Sequence, residues 1–443
     1  TELCRWSDMG KLERLREIRF WIDYYMQDIW MRKKLKKMND PNADFTQEEA
    51  HQQKRMLKYA KKAYPEFLKH YHMTGNEPLS EYPLTSKSDI REHPEMFTSR
   101  YIDRVESHHA TTGGSTGTPF GFEISANHDP VHQEFLWDIM GYQKGDKIIC
   151  VNGASIPKEK TEKNIYYYDL SPTQLPCGGY ALSCLYLTEK TAAYYFEFIE
   201  KIRPAFLRGY TSAIYRLAQY ADQHQIHFDF PIKGVQLTSE STFEYQIDYI
   251  EKVFQTKVYM QYGHTEAAIF GYTYDETHKY RCSPLYGHVE ILDENGQHVK
   301  EGETGEVVVT SYSNFAMLFV RYRTGDLAEY GGTRGGIVTL NKVWGRTQDV
   351  VYTKAGDPVY LTALIFGLHY HAFSNITKWK LVQKEYGKVT FQIVKGEHYS
   401  EVDEQELRDS FLENAGIEAV FEYVDDIELT RRGKSVFLDQ QLN

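Results

Sequence analysis

The chain has 443 residues, 41% of them hydrophobic and 26% charged, with a formal net charge of -11. That length suits one large domain plus a smaller one, and the balance excludes a disordered or fibrous chain. The acidic excess argues against a nucleic-acid surface, yet a few local donors can still hold a nucleotide on such a protein.

In chain order, Leu12, Leu15, Ile18, Ile22, Tyr25 and Ile29 recur at helical spacing and predict an amphipathic helix from Leu12 to Met31. A second helical segment is expected from about Thr46 to His72, with Met56, Leu57, Tyr59, Ala60 and Phe67 on its apolar face. Both read as packing rather than chemistry. From about Val105 short β-like runs alternate with amphipathic helices: KIICV, TAAYYFEFIEKI, AFLRG, SAIYRLAQYA, KGVQLTS, TFEYQIDYIEKVF, KVYMQYG. This alternation predicts an α/β layer with parallel strands, whose exit loops are the usual ligand sites.

After Arg281 the texture turns hairpin-like. VEILDENGQHV carries an Asn295-Gly296 turn signal, and GEVVVTS and GIVTLN extend the β region. From Val351 the order is helix (LTALIFGLHYH), strands (WKLVQK, KVTFQIV), helix (VDEQELRDSFLENA) and strand (AVFEYV). The expected fold is α/β: a large multilayer domain over residues 1–348, helical to about 100, and a small mobile α+β domain over 349–443. No internal repeat is present.

Five cysteines (Cys4, Cys150, Cys177, Cys184, Cys282) form no CxxC pair. That excludes the usual zinc spacing and makes a poor disulfide framework, so a cytoplasmic home is expected. No run reaches the roughly 20 apolar residues of a membrane span, and no signal-peptide pattern opens the chain. The chain starts at Thr1 rather than Met, so upstream residues are expected to be missing. The 35 tyrosines fit an aromatic-rich core and surface.

Five loops can carry chemistry. TTGGSTGTP, Thr111 to Pro119, combines glycines that admit positive φ with hydroxyl donors, a composition suited to polyphosphate. Taken alone, it suits a flexible surface loop almost as well. It is not a P-loop, because Thr118 and Pro119 replace the lysine and hydroxyl. QYGHTEAA, Gln261 to Ala268, follows a strand and offers an aromatic ring, a hydroxyl and a carboxylate: Tyr262 to stack on a base, Thr265 to donate to phosphate, Glu266 to hold Mg²⁺. A Thr-Glu pair is also a common helix cap. In YRTGDLA, Asp326 can accept hydrogen bonds from a ribose diol, or Gly325 and Asp326 can simply form a turn. GRTQDVVYTKAG places Arg346 within reach of a ribose or phosphate and Asp349 at the seam between domains. LTRRGKSVF presents Lys434 in a polar loop, where a basic patch is most often solvated surface.

Each motif alone is weak or moderate, but their order and spacing resemble the signature series of the adenylate-forming superfamily. That superfamily comprises acyl- and aryl-CoA synthetases, non-ribosomal peptide adenylation domains and luciferases. Chain length, the helical N-terminus and the short terminal domain look most like the phenylacetate–CoA ligase branch, including its capsular polysaccharide homologues. The resemblance spans about Thr111 to Lys434.

It implies an ATP-dependent ligase that makes acyl-AMP and pyrophosphate, then passes the acyl group to an acceptor. Coenzyme A is the branch default, and an amine is the alternative. By resemblance Thr111, Thr112, Gly113, Gly114, Ser115, Thr116 and Gly117 grip the β- and γ-phosphates, while Ser239 and Glu240 lie beside adenine with Tyr262 stacked on it. Thr265 meets the α-phosphate, Glu266 the Mg²⁺, and Asp326 with Arg346 the ribose. Asp349 is the hinge, and Lys434 enters the site during adenylation.

Two features depart from the pattern. Thr118 stands where many relatives carry lysine, leaving one charge fewer on the departing pyrophosphate. Gly433-Lys434 is followed by Ser435-Val436 with no early arginine, which bears on the lysine's placement and on nearby CoA contacts. A non-catalytic nucleotide-binding relative is the rival from another class, and retention of Glu266, Asp326, Arg346 and Lys434 together speaks against it.

Overall fold

The structure is a computed structural model, and it describes residues 15, 29–40, 42–112, 120–125, 129–170, 179–346, 350–361, 370–429 and 436–442. It is a mixed α/β protein with a large sheet-rich domain and a smaller C-terminal domain. Of the first expected helix, the described part is α1 (Ile29–Leu35), together with Leu15. The second divides into α2 (Thr46–Ala63) and α3 (Pro65–His70), broken at Tyr64 because Pro65 cannot donate an amide within a helix but fits its first turn.

The hairpin of β1 (Ser107–Thr112) and β2 (Phe120–Ser125) comes next, followed by helix α4 (Asp129–Ile139). The central sheet contains β3 (Ile148–Asn152), β4 (Tyr167–Asp169), β5 (Tyr180–Ser183), β6 (Phe206–Tyr210), β7 (Gly234–Thr238) and β8 (Val258–Gly263). Helices α5 (Ala192–Ile202), α6 (Thr211–Gln223) and α7 (Glu244–Phe254) connect these strands. The sheet continues through β9 (Phe270–Tyr272), β10 (Tyr280–Cys282), β11 (Gly287–Leu292), β12 (Thr304–Ser311), β13 (Tyr322–Arg334) and β14 (Ile337–Arg346). Its twelve strands run in the order β11-β12-β13-β14-β10-β9-β8-β7-β6-β3-β5-β4.

Strands β5, β3, β6, β7 and β8 pair in parallel, and β8 through β14 pair antiparallel. The division follows from connection: helical crossovers lead into β6, β7 and β8, while shorter links reverse the chain between β8 and β9, β9 and β10, β11 and β12, β12 and β13, and β13 and β14. The Asn295-Gly296 signal is a turn in one such link, with Gly296 at φ 74° and its amide on the Asp293 carbonyl at 3.0 Å.

One face of the parallel strands is an apolar core under α5, α6 and α7, built around Ile149, Val151, Leu207, Val235, Leu237 and Met260. A second core joins α1 to α4 with the antiparallel strands. There the Arg321 guanidinium donates to both Glu290 oxygens at 2.9 and 3.0 Å and to the carbonyls of Ser80 and Tyr82 at 3.0 and 3.1 Å, clamping the early chain onto the late sheet.

The C-terminal part pairs β15 (Val350–Tyr352) with β16 (Pro358–Tyr360). Beside them stands a four-stranded sheet, β17 (Ile376–Glu385), β18 (Lys388–Lys395), β19 (Glu418–Tyr423) and β20 (Leu438–Gln440), in the order β19-β18-β17-β20. Helix α8 (Glu401–Ala415) starts on a Ser400–Asp403 capping box and ends at left-handed Gly416. This part has its own buried core from Val351 to Leu438, against which Phe243 and Tyr245 of the large part also pack. The expected boundary at 348/349, and most of the expected LTALIFGLHYH helix, lie outside the described residues.

Candidate active site

The site lies where the parallel half of the sheet meets the antiparallel half. β8 pairs with β7 on one side (Thr238 opposite Gln261) and with β9 on the other (Tyr262 opposite Gly271). Tyr262 and His264 are two apart on extended chain, so their side chains leave the same side.

The Tyr262 hydroxyl donates to Asp326 Oδ2 at 2.9 Å. His264 Nε2 is also 2.9 Å from that oxygen and 2.9 Å from the tyrosine hydroxyl. Burial first, and then the Asp326 charge, push the Tyr262 phenol well above its ordinary range, so it remains a neutral donor. His264 Nδ1 is buried with no hydrogen-bond partner. An unprotonated nitrogen is the cheaper atom to leave there, which assigns the proton to Nε2 as a second donor to Asp326.

Asp326 is not a turn residue. It lies within β13, opposite Arg346 of β14, so backbone register sets those two positions side by side. Gly325 before it has φ 76°, a conformation that favours glycine, and its amide reaches Glu306 Oε1 at 3.2 Å. The Asp326 amide donates to Thr324 Oγ1 at 3.0 Å, and the Thr324 hydroxyl in turn donates to the Val307 carbonyl at 2.7 Å. A register shift follows at Leu327/Ala328, the kind of irregularity that re-aims side chains beside sites.

Beyond β8 the chain turns inward. Thr265 is exposed, whereas Glu266 is 4% exposed and accepts a hydrogen bond from the Tyr322 hydroxyl at 3.2 Å. Ala267 then adopts φ 52°, a left-handed conformation costing about 1–2 kcal/mol. The Ser311 hydroxyl on its carbonyl at 2.7 Å helps to hold that turn.

At the end of β7, Ser239 is exposed with φ 70°. Glu240 accepts from the Ser212 amide at 2.8 Å and the Ser212 hydroxyl at 3.1 Å, setting a carboxylate at the start of α6. Thr111 and Thr112 end β1, and Thr112 faces Phe120 across the hairpin. Gly113, Gly114, Ser115, Thr116, Gly117, Asp349 and Lys434 lie outside the described residues.

Of the residues singled out in the sequence, the structure thus joins Tyr262 to Asp326, with the Arg346 backbone alongside, and sets Glu266 just beyond on the same chain. Sequence reasoning passed over His264, although it lies inside the Tyr-Gly-x-Thr-Glu motif. Its spacing of two from Tyr262 was the available signal. Tyr322, the donor to Glu266, stood at the first position of YRTGDLA. Among the described residues no group of three or more His, Cys, Asp or Glu side chains stands together as a metal site, and no helix is long and apolar enough to cross a membrane.

No family model matches the chain. Over 282 residues it is 24% identical to Protein CapK of Staphylococcus aureus, a match covering 60% of this chain and 58% of that protein. Over 299 residues it is 25% identical to the phenylacetate-coenzyme A ligase of Pseudomonas putida, covering 63% of each. The matches thus span less than two thirds of the length of either curated relative. Among solved structures, 2-hydroxyisobutyryl-CoA ligase in its postadenylation state superposes with a TM-score of 0.67 at 15% identity, over 90% of both chains. The chain thus shares the fold of 2-hydroxyisobutyryl-CoA ligase, and the proteins it resembles in sequence include a phenylacetate-coenzyme A ligase.

Proposed function

We propose that the chain is an ATP-dependent, AMP-forming acid ligase, which joins a carboxylic acid to the α-phosphate of ATP, releases pyrophosphate, and transfers the acyl group to the thiol of coenzyme A. The observation that carries this reading is the Tyr262–His264–Asp326 cluster, with Arg346 in register and Glu266 beside it, on a fold shared with such ligases. A ribose diol supplies the donors that a carboxylate placed like Asp326 accepts, and Tyr262 offers a ring held by its own hydroxyl.

The acid's carboxylate oxygen attacks the α-phosphorus in line, and the bond to the pyrophosphate oxygen breaks. The chain's part is alignment and opposition to spreading negative charge. Thr265 donates to the α-phosphate, the Thr111–Gly117 loop receives the outer phosphates, and Lys434 approaches the reacting oxygens. Ser239 and Glu240 flank the adenine.

Glu266, a buried carboxylate with the Tyr322 hydroxyl as donor, is a fitting oxygen ligand for Mg²⁺ carried in on the nucleotide. When bound, that ion would neutralise phosphate charge. Rotation of the small domain about Asp349 would withdraw Lys434 and admit the acceptor. A cytoplasmic setting supplies ATP and coenzyme A, and it suits the free thiols Cys150 and Cys282.

The test is acid-dependent pyrophosphate release from MgATP with pooled carboxylic acids, with hydroxylamine present to trap acyl-AMP, comparing wild type with Lys434→Ala. Release that needs both an acid and the lysine is expected. Nucleotide binding without release from any pool would overturn the ligase reading in favour of a non-catalytic one.

A further inference from the structure

A parallel strand covered on both faces normally reads as a continuous apolar run. Strands β6 (FLRGY) and β7 (GVQLT) break that rule on one face only. Their register is explicit: Cys150 of β3 lies opposite Arg208 of β6, Arg208 opposite Gln236 of β7, and Gln236 opposite Tyr259 of β8. One rung further towards the strand ends, Tyr210, Thr238 and Gln261 continue the same face.

Helix α4 lies over this face. Gln133 from the helix donates to Gln236 Oε1 at 3.4 Å, and Gln236 donates to Gln261 Oε1 at 2.7 Å. One rung below Arg208, the Phe206 ring packs on Trp137 of α4 at 5.5 Å and closes the floor. Arg208, Tyr210, Thr238 and Gln261 stay partly accessible, whereas Leu207, Val235 and Leu237 on the opposite face are fully buried. The result is a polar face, closed at its floor by Phe206 and Trp137 and partly accessible at the strand ends.

Arg208 is the anomaly in it. Charged side chains inside a fold are normally paired. Among the described residues Arg208 has no carboxylate partner, and the group beside it is the Cys150 thiol. A partly accessible guanidinium fixed on this face by strand register, beside an amide side chain and without its own carboxylate, is arranged to receive an anion from outside.

We propose that Arg208 binds a second anionic group of the acid substrate, so that the ligase takes a carboxylic acid bearing a further carboxylate or equivalent anion. This rests on the ligase reading above. β6 is two strand spacings, roughly 10 Å, from the strand that carries Tyr262. The two anionic groups are therefore separated by several bonds, as in glutarate or adipate rather than malonate. Tyr210, Thr238 and Gln261, the partly accessible rung above the buried Gln133–Gln236 pair, suit a polar connecting chain.

Two measurements separate this inference from the reading it rests on. The first is binding without ATP, by calorimetry, of glutarate and adipate against their monoamides, to wild type, Arg208→Gln and Arg208→Lys. The second is the hydroxamate assay with the same compounds, read as the ratio of kcat/KM for diacid over monoamide. Wild type is expected to bind the diacid, with Arg208→Gln weakening it about 30-fold or more and Arg208→Lys less. The kinetic ratio should fall in parallel, while MgATP binding confirms the fold.

Arg208-dependent diacid binding with no pyrophosphate release from any acid would keep the anion site and sink the ligase reading. Turnover of monoamides or simple monoacids, with a diacid ratio that Arg208→Gln does not move and no Arg208-dependent binding, would overturn the inference and leave the ligase reading intact.

Discussion

In the parallel half of the central sheet, chemistry gathers at strand ends: Ser239 and Glu240 leave β7, and His264, Thr265 and Glu266 leave β8. In the antiparallel half, Asp326 lies within the long strand β13 and is set by register opposite Arg346, the last residue of β14. The first arrangement depends on loop conformation, and there the chain accepts left-handed backbone at Ser239 and Ala267. The second depends on ladder hydrogen bonds and on Gly325. A site at the seam takes one set of groups from loops and one from a hydrogen-bonded ladder, so under the proposed function a nucleotide would be held against the carboxylate that the ladder fixes.

Removing the ladder-held member should have the largest effect. Asp326→Ala is expected to lower kcat/KM for ATP about 100-fold or more, since charge-assisted hydrogen bonds are lost, with little change in melting temperature. Steady-state kinetics beside a thermal melt decides it, and a loss below tenfold would mean register placed nothing of use there.

Stability should separate the halves next. A Cβ on Gly287 would sit 2.0 Å from the Ala268 carbonyl oxygen and 2.8 Å from that of Thr310, whereas on Gly263 the nearest atom is the Ile269 oxygen at 3.2 Å. Gly287→Ala should therefore cost about 2–3 kcal/mol in chemical denaturation, and Gly263→Ala less than about 1. Equal losses would remove the contrast between the halves.

Across the seam, Tyr262→Phe keeps the ring and deletes the donor to Asp326. We expect about a five- to tenfold rise in KM for ATP, with kcat changed less, in the same assay. An unchanged KM would leave the hydroxyl with a purely structural part.

The smallest effect is alkaline. Burial raises the Tyr262 phenol well above its ordinary value of 10.0 and the Tyr82 phenol to about 12. A raised folded pKa means stability that is whole below about pH 10 and declines as pH climbs towards the folded values, because the unfolded chain ionises first. Tyrosinate absorbance at these positions should then appear with unfolding. Titration of Tyr262 in the folded protein near pH 10 would contradict its burial.

Much of this was legible in the residues. The alternation from KIICV to KVYMQYG gave the parallel strands, because apolar runs and amphipathic helices report burial directly. The motifs marked Tyr262, Glu266 and Asp326 as candidates. What escaped was information that exists only between distant strands. Asp326 opposite Arg346 is a register, YRTGDLA reads locally as a turn although it is strand, and Arg208 is unremarkable until Cys150 and Gln236 are seen on either side of it. Pro65 was the local signal that one long helix would be two.

The Arg321 clamp has a consequence in time. Its hydrogen bond to the Ser80 carbonyl spans 241 residues, and Tyr59 likewise donates to the Phe315 carbonyl across 256. A ribosome adding about 5–20 residues per second needs roughly 12–50 s to cover that distance. Throughout that interval the α2–α3 segment has been made without the strands it packs on. The nascent chain therefore carries Tyr59 and Tyr64 without the Phe315 carbonyl they donate to while the parallel half is completed, and its burden on chaperones falls early in synthesis.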